Sequence, residues 1–190
     1  MKRILSITFF GLAVNFAQAQ MLFNPIDLIN VVDGKPVTVK SCNSCVAMVV
    51  VFHSLKCPYD AHYAERIKKL VETYGNTVSF FLVNSNPESD EQADKMASAY
   101  ANWRVSLPYL ADKDQILMTA LNAKKTPEAV LLKKEGAQLK IVYQGAIDDN
   151  PQVHTDTGAN FLENAIQDLL AGKNPVVATE RVIGCTIRKR

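Results

Sequence analysis

The stretch that most constrains the fold of this chain covers residues 46–63. Residues 46–52 form an apolar run, rich in valine, that is too short to make a helix of its own. Such a run is typical of a strand buried on both faces, in the middle of a sheet that helices cover. From residue 59 onward, apolar side chains recur at the spacing of a helix. The sequence therefore predicts a central strand that leads directly into a helix.

Cys57 and Pro58 stand at the junction of this strand and this helix. Proline fits the first position of a helix, because the N–H that it lacks has no partner there anyway. A thiol just before a helix faces unpaired backbone N–H groups and the positive end of the helix dipole, which favour the thiolate. We interpret Cys57 as a reactive thiol on an exposed turn. The alternative is a small buried apolar residue.

The first 19 residues have the features of a signal peptide. Lys2 and Arg3 precede an apolar run, and a small-x-small motif ends at Ala19. This pattern predicts an exported protein, periplasmic or secreted, that is cleaved after Ala19. The run is too short to span a bilayer and no later segment is longer, so no membrane span is expected. Residues 20–190 fit a single domain with a tail at residues 176–190.

Charge and cysteine content exclude two further classes of protein. Without the two basic residues of the signal peptide, the chain has 19 basic and 19 acidic residues. This balance argues against a nucleic-acid-binding protein. The four cysteines, at positions 42, 45, 57 and 185, are too few for a disulfide-dense scaffold of this length. Each cysteine is therefore better interpreted by its own chemistry than as part of a disulfide framework.

The remaining segments predict an α/β fold. Strands are expected at 77–83, 129–132 and 140–143, helices at 88–104, 115–123 and 158–171, and a small hairpin or edge strand at 21–39. Met96, Tyr100 and Trp103 form a helical stripe that we assign to the core. Parallel strands joined by helices and followed by a closing hairpin predict a central mixed sheet with helices on both faces.

Five segments of the chain resemble the peroxiredoxin-like branch of the thioredoxin-fold superfamily, that is, the redoxins related to alkyl hydroperoxide reductase and thiol-specific antioxidant proteins. These segments are residues 57–67, 108–112, 126–130, 143–150 and 184–188. The resemblance implies a thioredoxin-like fold with Cys57 as the redox nucleophile. It also implies that Pro127, after Thr126, is a cis-proline beside that sulfur. In this fold the bend at the cis-proline presents a backbone edge to a substrate chain.

The chain departs from the pattern of this branch at three positions. Members often carry a second cysteine three residues before the nucleophile, and thioredoxins carry one three residues after it; here these positions are Ser54 and Asp60. Neither neighbour can therefore resolve a mixed disulfide. Tyr59 replaces the threonine of the peroxiredoxin C-P-T pattern, so efficient peroxide reduction does not follow from the resemblance.

Cys185 is the candidate for the resolving thiol. It lies in the tail beyond the last predicted helix, after Gly184, and glycine allows a close approach of the backbone. Such a tail has the length to reach back over the active-site turn. The alternative is a tail cysteine that packs as a small apolar residue.

Cys42 and Cys45 form the only C-x-x-C of the chain. Cys45 precedes the central strand and Cys57 follows it, and about eight residues of strand put the two thiols on the order of 25 Å apart. That distance excludes disulfide exchange between the two thiols, and it also excludes a zinc site to which both contribute. We expect Cys42 and Cys45 to form a disulfide with each other. It either pins the start of the strand or acts as a separate redox site.

Ionisable side chains near Cys57 shift the pKa of its thiol in opposite directions. Lys56 favours a thiolate and Asp60 opposes it. His53 and His62 flank the site and have either a chemical role or a packing role.

The leading hypothesis is an exported thiol–disulfide oxidoreductase or peroxiredoxin-like antioxidant protein. Cys57 would attack a protein disulfide or a peroxide, Cys185 would resolve the product, and an external thiol would restore the pair. No cofactor and no metal are expected. One alternative is a copper-handling protein, for which the site lacks a second sulfur among the sequence neighbours of Cys57. The other is a degenerate fold that only binds partners.

Overall fold

The computed structural model describes residues 22–101, 106–153 and 158–190. The predicted signal peptide and its cleavage site after Ala19 lie outside these residues, and so does Trp103 of the predicted stripe. Within the described ranges, no helix has both the length and the apolar character needed to cross a membrane.

The described part of the chain contains ten strands and five α-helices. The strands are β1 (Leu22–Phe23), β2 (Ile26–Asn30), β3 (Pro36–Val39), β4 (Ala47–Phe52), β5 (Val78–Asn84), β6 (Tyr109–Ala111), β7 (Lys125–Thr126), β8 (Glu128–Glu135), β9 (Gln138–Gly145) and β10 (Cys185–Thr186). The helices are α1 (Pro58–Ala61), α2 (Ala64–Tyr74), α3 (Ala93–Tyr100), α4 (Ile116–Ala120) and α5 (Phe161–Leu170).

Eight of the strands form one mixed sheet in the order β1-β9-β8-β4-β5-β6-β2-β3. The strands β4, β5 and β6 run parallel, and antiparallel strands extend the sheet on both sides. The predicted closing hairpin is β8–β9, and the hairpin expected in the lead-in is β2–β3. The other two strands, β7 and β10, pair with each other in antiparallel fashion. The central mixed sheet predicted from the sequence is confirmed.

β4 lies at the centre of this sheet, and all six of its residues are buried. Alternate side chains of a strand point to opposite faces. On one face the side chains of β4 pack in a cluster with residues of α2, α3 and α5, and on the other face in a cluster with residues of α4. Helices therefore cover both faces, as predicted.

The helix predicted after Cys57 is divided into α1 and α2. The N–H groups of His62 and Tyr63 donate to the carbonyls of Tyr59 and Asp60, at 3.1 and 3.0 Å. These three-residue bonds are tighter than those of an α-helix. The turn between the two helices brings both Asp60 and Tyr63 into the interior.

The continuous helix predicted over residues 88–104 is wrong in its first part. A 3₁₀ turn over Ser89–Glu91 and an extended Gln92 precede α3. The chain is interrupted here because the Glu91 side chain is buried as a hydrogen-bond acceptor, while the Gln92 amide donates to two carbonyls of the preceding residues. Met96 of α3 is fully buried, as predicted.

Backbone contacts hold the tail after α5 at two places, one on the eight-stranded sheet and one on β7. The N–H of Gln144 in β9 donates to the carbonyl of Ala178, at 3.1 Å. Beside it, a Cβ on Gly145 would lie 2.4 Å from the carbonyl oxygen of Glu180, so the tail can come this close only to a glycine. Further along, β10 pairs with β7.

A buried ion pair joins α2 to the loop that follows β9. Arg66 Nη1 lies 2.6 Å from Asp148 Oδ2 and also donates to the carbonyl of Asn150. The hydroxyl of Tyr63 donates to Asp148 Oδ1 at 2.9 Å. The Arg66 and Asp148 side chains are only 10% and 3% exposed. Loss of one partner would therefore leave a buried charge without its counter-ion.

We expect Asp148→Leu to lower the free energy of unfolding by about 3–5 kcal/mol, because the Arg66 charge then remains buried and unpaired. The double change Arg66→Leu, Asp148→Leu serves as the control, and it should cost less than the single change. Urea denaturation followed by circular dichroism measures both. A loss below about 1 kcal/mol in the single variant would contradict the structural role of the pair.

Candidate functional site

Cys57 occupies the N-cap position of α1, and Pro58 is the first residue of that helix. The residues between the end of β4 and Cys57 form a turn. The N–H of Cys57 donates to Ser54 Oγ at 3.1 Å, which holds the sulfur-bearing residue against this turn. The predicted position of Cys57, between the central strand and a helix, is confirmed.

The tail brings Cys185 to Cys57, and the two residues form a disulfide. The sulfur atoms are 2.10 Å apart and the Cα atoms 5.8 Å apart. The turn is exposed at Lys56 and Pro58, as expected, but Cys57 itself is only 4% exposed in the disulfide form. The tail strand β10 lies over the turn, the arrangement for which the sequence analysis found the tail long enough. Reduction of this bond would yield two adjacent thiols, and their oxidation would restore it.

The loop before β8 forms the other wall of the site. The Thr126–Pro127 peptide bond is cis, the isomer that the resemblance implied. The carbonyl oxygen of Thr126 lies 3.4 Å from Cys57 Sγ. Antiparallel pairing places Thr126 opposite Cys185. Thr126 and Pro127 are thus brought together with both cysteines.

A buried carboxylate holds the turn before Cys57. Glu91 accepts hydrogen bonds from Ser54 Oγ at 2.5 Å, from the N–H of Leu55 at 2.9 Å and from the N–H of Lys56 at 3.2 Å. The amide of Asn84 donates to the same carboxylate at 2.6 Å. Ser54 therefore links Glu91 to the backbone of Cys57. Ser54 supports the position of the sulfur and has no redox chemistry of its own.

A second layer of polar side chains lies behind Glu91. His53 Nδ1 and the hydroxyl of Tyr109 are 2.7 Å apart, and Asn84 Nδ2 donates to the same hydroxyl at 3.3 Å. Lys113 Nζ donates to Asn84 Oδ1 at 2.9 Å. Burial lowers the pKa of His53 to about 3 and that of Lys113 to about 8. His53 is therefore a neutral part of the interior at physiological pH.

Asp60 is 1% exposed, and neither oxygen of its carboxyl group has a hydrogen-bond partner among the residues described. Burial raises the pKa of Asp60 well above its usual value. The nearby Thr126 hydroxyl and Ser54 backbone lower this pKa without outweighing the burial, and the charge of Glu91 raises it further. Burial thus favours the neutral acid, which does not repel a thiolate at Cys57 as the sequence suggested for an ionised Asp60.

Cys42 and Cys45 form a disulfide with each other, with sulfur atoms 2.04 Å apart. They lie before β4, whereas Cys57 lies beyond its far end, so the two disulfides are at opposite ends of the central strand. The N–H of Cys42 donates to Ser79 Oγ in β5 at 2.7 Å. This bond ties the C-x-x-C to the neighbouring strand.

The residues that the structure describes contain no group of three or more His, Cys, Asp and Glu side chains that could hold a metal ion. His53 is directed to Tyr109, and His62 is exposed. The second sulfur that is missing among the sequence neighbours of Cys57 is supplied by Cys185, from a distant part of the chain.

Three residues of the site were not identified from the sequence: Glu91, Asn84 and Tyr109. Glu91 is an ordinary acidic residue at the start of a predicted helix, and its partner Ser54 is 37 positions away. Only the pairing of β4 with β5 brings the two close together. The sequence contains no local signal of that contact.

Comparison with known proteins shows several similarities. The family model described as Redoxin matches residues 19–162. An uncharacterized conserved protein from Geobacillus kaustophilus is 28% identical, with 90% of each chain covered and a TM-score of 0.78. A hypothetical protein from Sinorhizobium meliloti 1021 is 24% identical, with 90% of this chain and 94% of that chain covered and a TM-score of 0.77. No curated protein gives a significant match.

A more distant similarity concerns the fold alone. The pneumococcal exposed lipoprotein thioredoxin from Streptococcus pneumoniae is 19% identical, with 62% of this chain and 87% of that chain covered and a TM-score of 0.51. The expected thioredoxin-like fold is thereby confirmed. Cys185 lies beyond the segment that the family model matches.

The neutral state of His53 should be visible in the pH dependence of stability. Its pKa is about 3 in the folded protein and near 6.5 when unfolded, so the unfolded chain binds the extra proton between these values. Stability should therefore fall as the pH is lowered from 6.5 towards 3, by at most about 1.4 kcal/mol per pH unit. His53→Gln should remove this component in urea denaturation between pH 4 and 7, whereas His62→Gln, an exposed control, should retain it.

The role of Glu91 can be tested by an acid-to-amide change. Glu91→Gln removes the charge that accepts four hydrogen bonds, and we expect a loss of about 2–4 kcal/mol in the free energy of unfolding. Asp94→Asn is the matched control, because Asp94 is an exposed acid and its solvent-screened ion pair with Lys95 should contribute far less to stability. Equal losses in the two variants would argue against a buried anchor at Glu91.

Proposed function

We propose that this chain, which belongs to the Redoxin family, is a thiol–disulfide oxidoreductase with Cys57 as its nucleophile and Cys185 as its resolving thiol. The observation that carries the proposal is the disulfide between these two residues beside the cis-proline loop. A thiol at the N-terminus of a helix, adjacent to a second thiol, is a setting typical of disulfide exchange.

The reaction has two exchange steps. The Cys57 thiolate attacks one sulfur of a substrate disulfide, forms a mixed disulfide and releases the other substrate sulfur as a thiolate. The Cys185 thiolate then attacks Cys57 Sγ and displaces the second substrate sulfur. The substrate gains two electrons, and the enzyme is left with the Cys57–Cys185 disulfide. An external thiol reductant returns it to the dithiol form.

The surroundings of Cys57 suit the first of these steps. The hydrogen bonds of Ser54 and Glu91 fix the turn that carries the sulfur, so little motion accompanies the formation of the thiolate. Burial raises the pKa of Asp60, which favours its neutral form and so weakens its repulsion of that thiolate. These contacts support an exchange activity and do not select one substrate.

Peroxide is the second candidate substrate, and family membership is the observation that favours it. The Cys57 thiolate would attack one peroxide oxygen and become a sulfenic acid, releasing an alcohol or water after protonation. Cys185 would then form the disulfide with loss of water. We further propose that the protein is exported, since residues 1–19 have the pattern of a signal peptide and disulfides persist in oxidising compartments.

Insulin reduction by the mature chain, with an external dithiol in excess, tests the proposal. Cys57→Ser should lower the protein-catalysed turnover more than about 100-fold, because the proposed nucleophile is then absent. Cys185→Ser should accumulate a mixed disulfide on Cys57, detectable by mass spectrometry. The same variants assayed with hydrogen peroxide decide between the two substrate classes.

The double change Cys42→Ser, Cys45→Ser is the control, and its turnover should stay within about twofold of the parent. A variant that stays folded and keeps a reactive Cys57 but loses activity would make the C-x-x-C the catalytic centre. Full activity of Cys57→Ser would contradict the proposal outright. Stoichiometric binding of Cu(I) without any exchange activity would support the copper-handling alternative.

A further inference from the structure

The tail adds a short strand beside the active-site sulfur. Cys185 pairs with Thr126 and Thr186 pairs with Lys125, in antiparallel register. The N–H of Ile187 donates to the carbonyl of Lys124 at 2.9 Å, so the pairing continues beyond the strand. Bonds of this kind use only backbone atoms. Any extended chain can therefore form them in place of the tail.

The buried position of Cys57 determines where a substrate must lie. Its sulfur is covered, and β10 lies on the side from which Cys185 reaches it. In a mixed disulfide, a substrate sulfur stands one S–S bond from this same atom. A substrate chain in that position must pair with the edge of β7. Because this edge pairs with one strand at a time, the substrate chain must displace β10.

The resemblance already implies that the backbone edge before the cis-proline, here β7, takes the substrate chain. We propose that residues 184–187 of the tail occupy this edge as an internal substitute for that chain, and that the apolar site under Ile187 selects which cysteine-containing segments can replace the tail. The inference rests on the proposed function, since it takes Cys57 as the nucleophile. The tail leaves while the substrate is bound, and it returns when Cys185 displaces the substrate sulfur from Cys57.

The side chains of the tail show which segments the site accepts. A Cβ on Gly184 would lie 2.1 Å from the carbonyl oxygen of Thr126, a backbone atom that cannot give way. Ile187 is 4% exposed and belongs to the same apolar cluster as Leu117 and Leu121. Thr186 between them is exposed. The preferred segment therefore has glycine before its cysteine, a branched apolar residue two positions after it, and any residue in between.

Other contacts make the tail a strong competitor for this site. Gln115 donates from Nε2 to the carbonyl of Arg188 at 2.6 Å and accepts from the N–H of Arg190 at 2.9 Å. Arg188 also forms an ion pair with Glu88. Because the tail is tethered, its effective concentration at the site is in the millimolar range. A substrate segment must match the site well to displace it.

The test uses the mature, reduced Cys185→Ser chain, in which Cys57 is the only thiol at the site. The probes are seven-residue peptides that copy residues 182–188, each carrying thionitrobenzoate on its cysteine. Attack of the Cys57 thiolate on the peptide sulfur forms the mixed disulfide and releases coloured thionitrobenzoate. The matched peptide is compared with its Gly184→Val and Ile187→Ser counterparts, and with glutathione carrying the same leaving group.

We expect the matched peptide to react at least about tenfold faster than each of the other three probes. Ile187→Ser in the protein itself should loosen the tail and raise the rate of the matched peptide about threefold or more. Equal rates for all four probes, with a reactive Cys57, would overturn the inference and leave the proposed function intact. An unchanged rate in the Ile187→Ser protein would overturn the competition by the tail. A Cys57 that reacts no faster than a free thiol would instead overturn the proposed function.

Discussion

The burial of β4 on both faces is the constraint on which the rest of this structure depends. A strand with no exposed side chain must have helices on either side, and its two ends are the places where chemistry can reach solvent. One end carries the Cys42–Cys45 disulfide and the other leads to Cys57. The central strand thus separates the Cys42–Cys45 pair from the Cys57–Cys185 pair, although three of these cysteines are close in sequence.

The turn before Cys57 is held by buried polar groups, and removing such groups from water costs much free energy. Glu91 offsets this cost with four hydrogen bonds, two of them from backbone N–H groups. For Asp60, burial raises the pKa by more than the nearby Thr126 hydroxyl and Ser54 backbone lower it. Two acids in the same small region therefore differ: Glu91 anchors the turn through four hydrogen bonds, and burial of Asp60 favours its neutral form.

The sequence predicted those features that depend on neighbours in the chain. The valine-rich run, the Cys-Pro junction and the closing hairpin each have a local pattern, and all three are present in the structure. The cis bond before Pro127 followed from the resemblance, because no local pattern distinguishes it from the common trans form. The fold class could therefore be predicted from the sequence.

The features that the sequence did not predict arise from contacts between distant residues. Glu91 interrupts a helix because its partners lie in the turn after β4, and periodicity carries no information about such a partner. Burial of Cys57 under the tail depends on a pairing across 128 positions. The division of the helix after Cys57 follows from the inward turn of Asp60, a residue type normally found at the surface.

The docking of the tail also connects folding energetics with electron affinity. Contacts made by Ile187, Gln115 and the paired backbone stabilise the form in which the tail is docked. The disulfide holds the tail more closely than the chain alone does, so these contacts stabilise the oxidised protein more than the reduced one. Each 1.4 kcal/mol of that difference makes the reduction potential of the Cys57–Cys185 pair about 30 mV more negative. The reducing strength of the pair therefore depends on side chains that never touch a sulfur, and evolution can tune it by changing the tail while the turn at Cys57 stays the same.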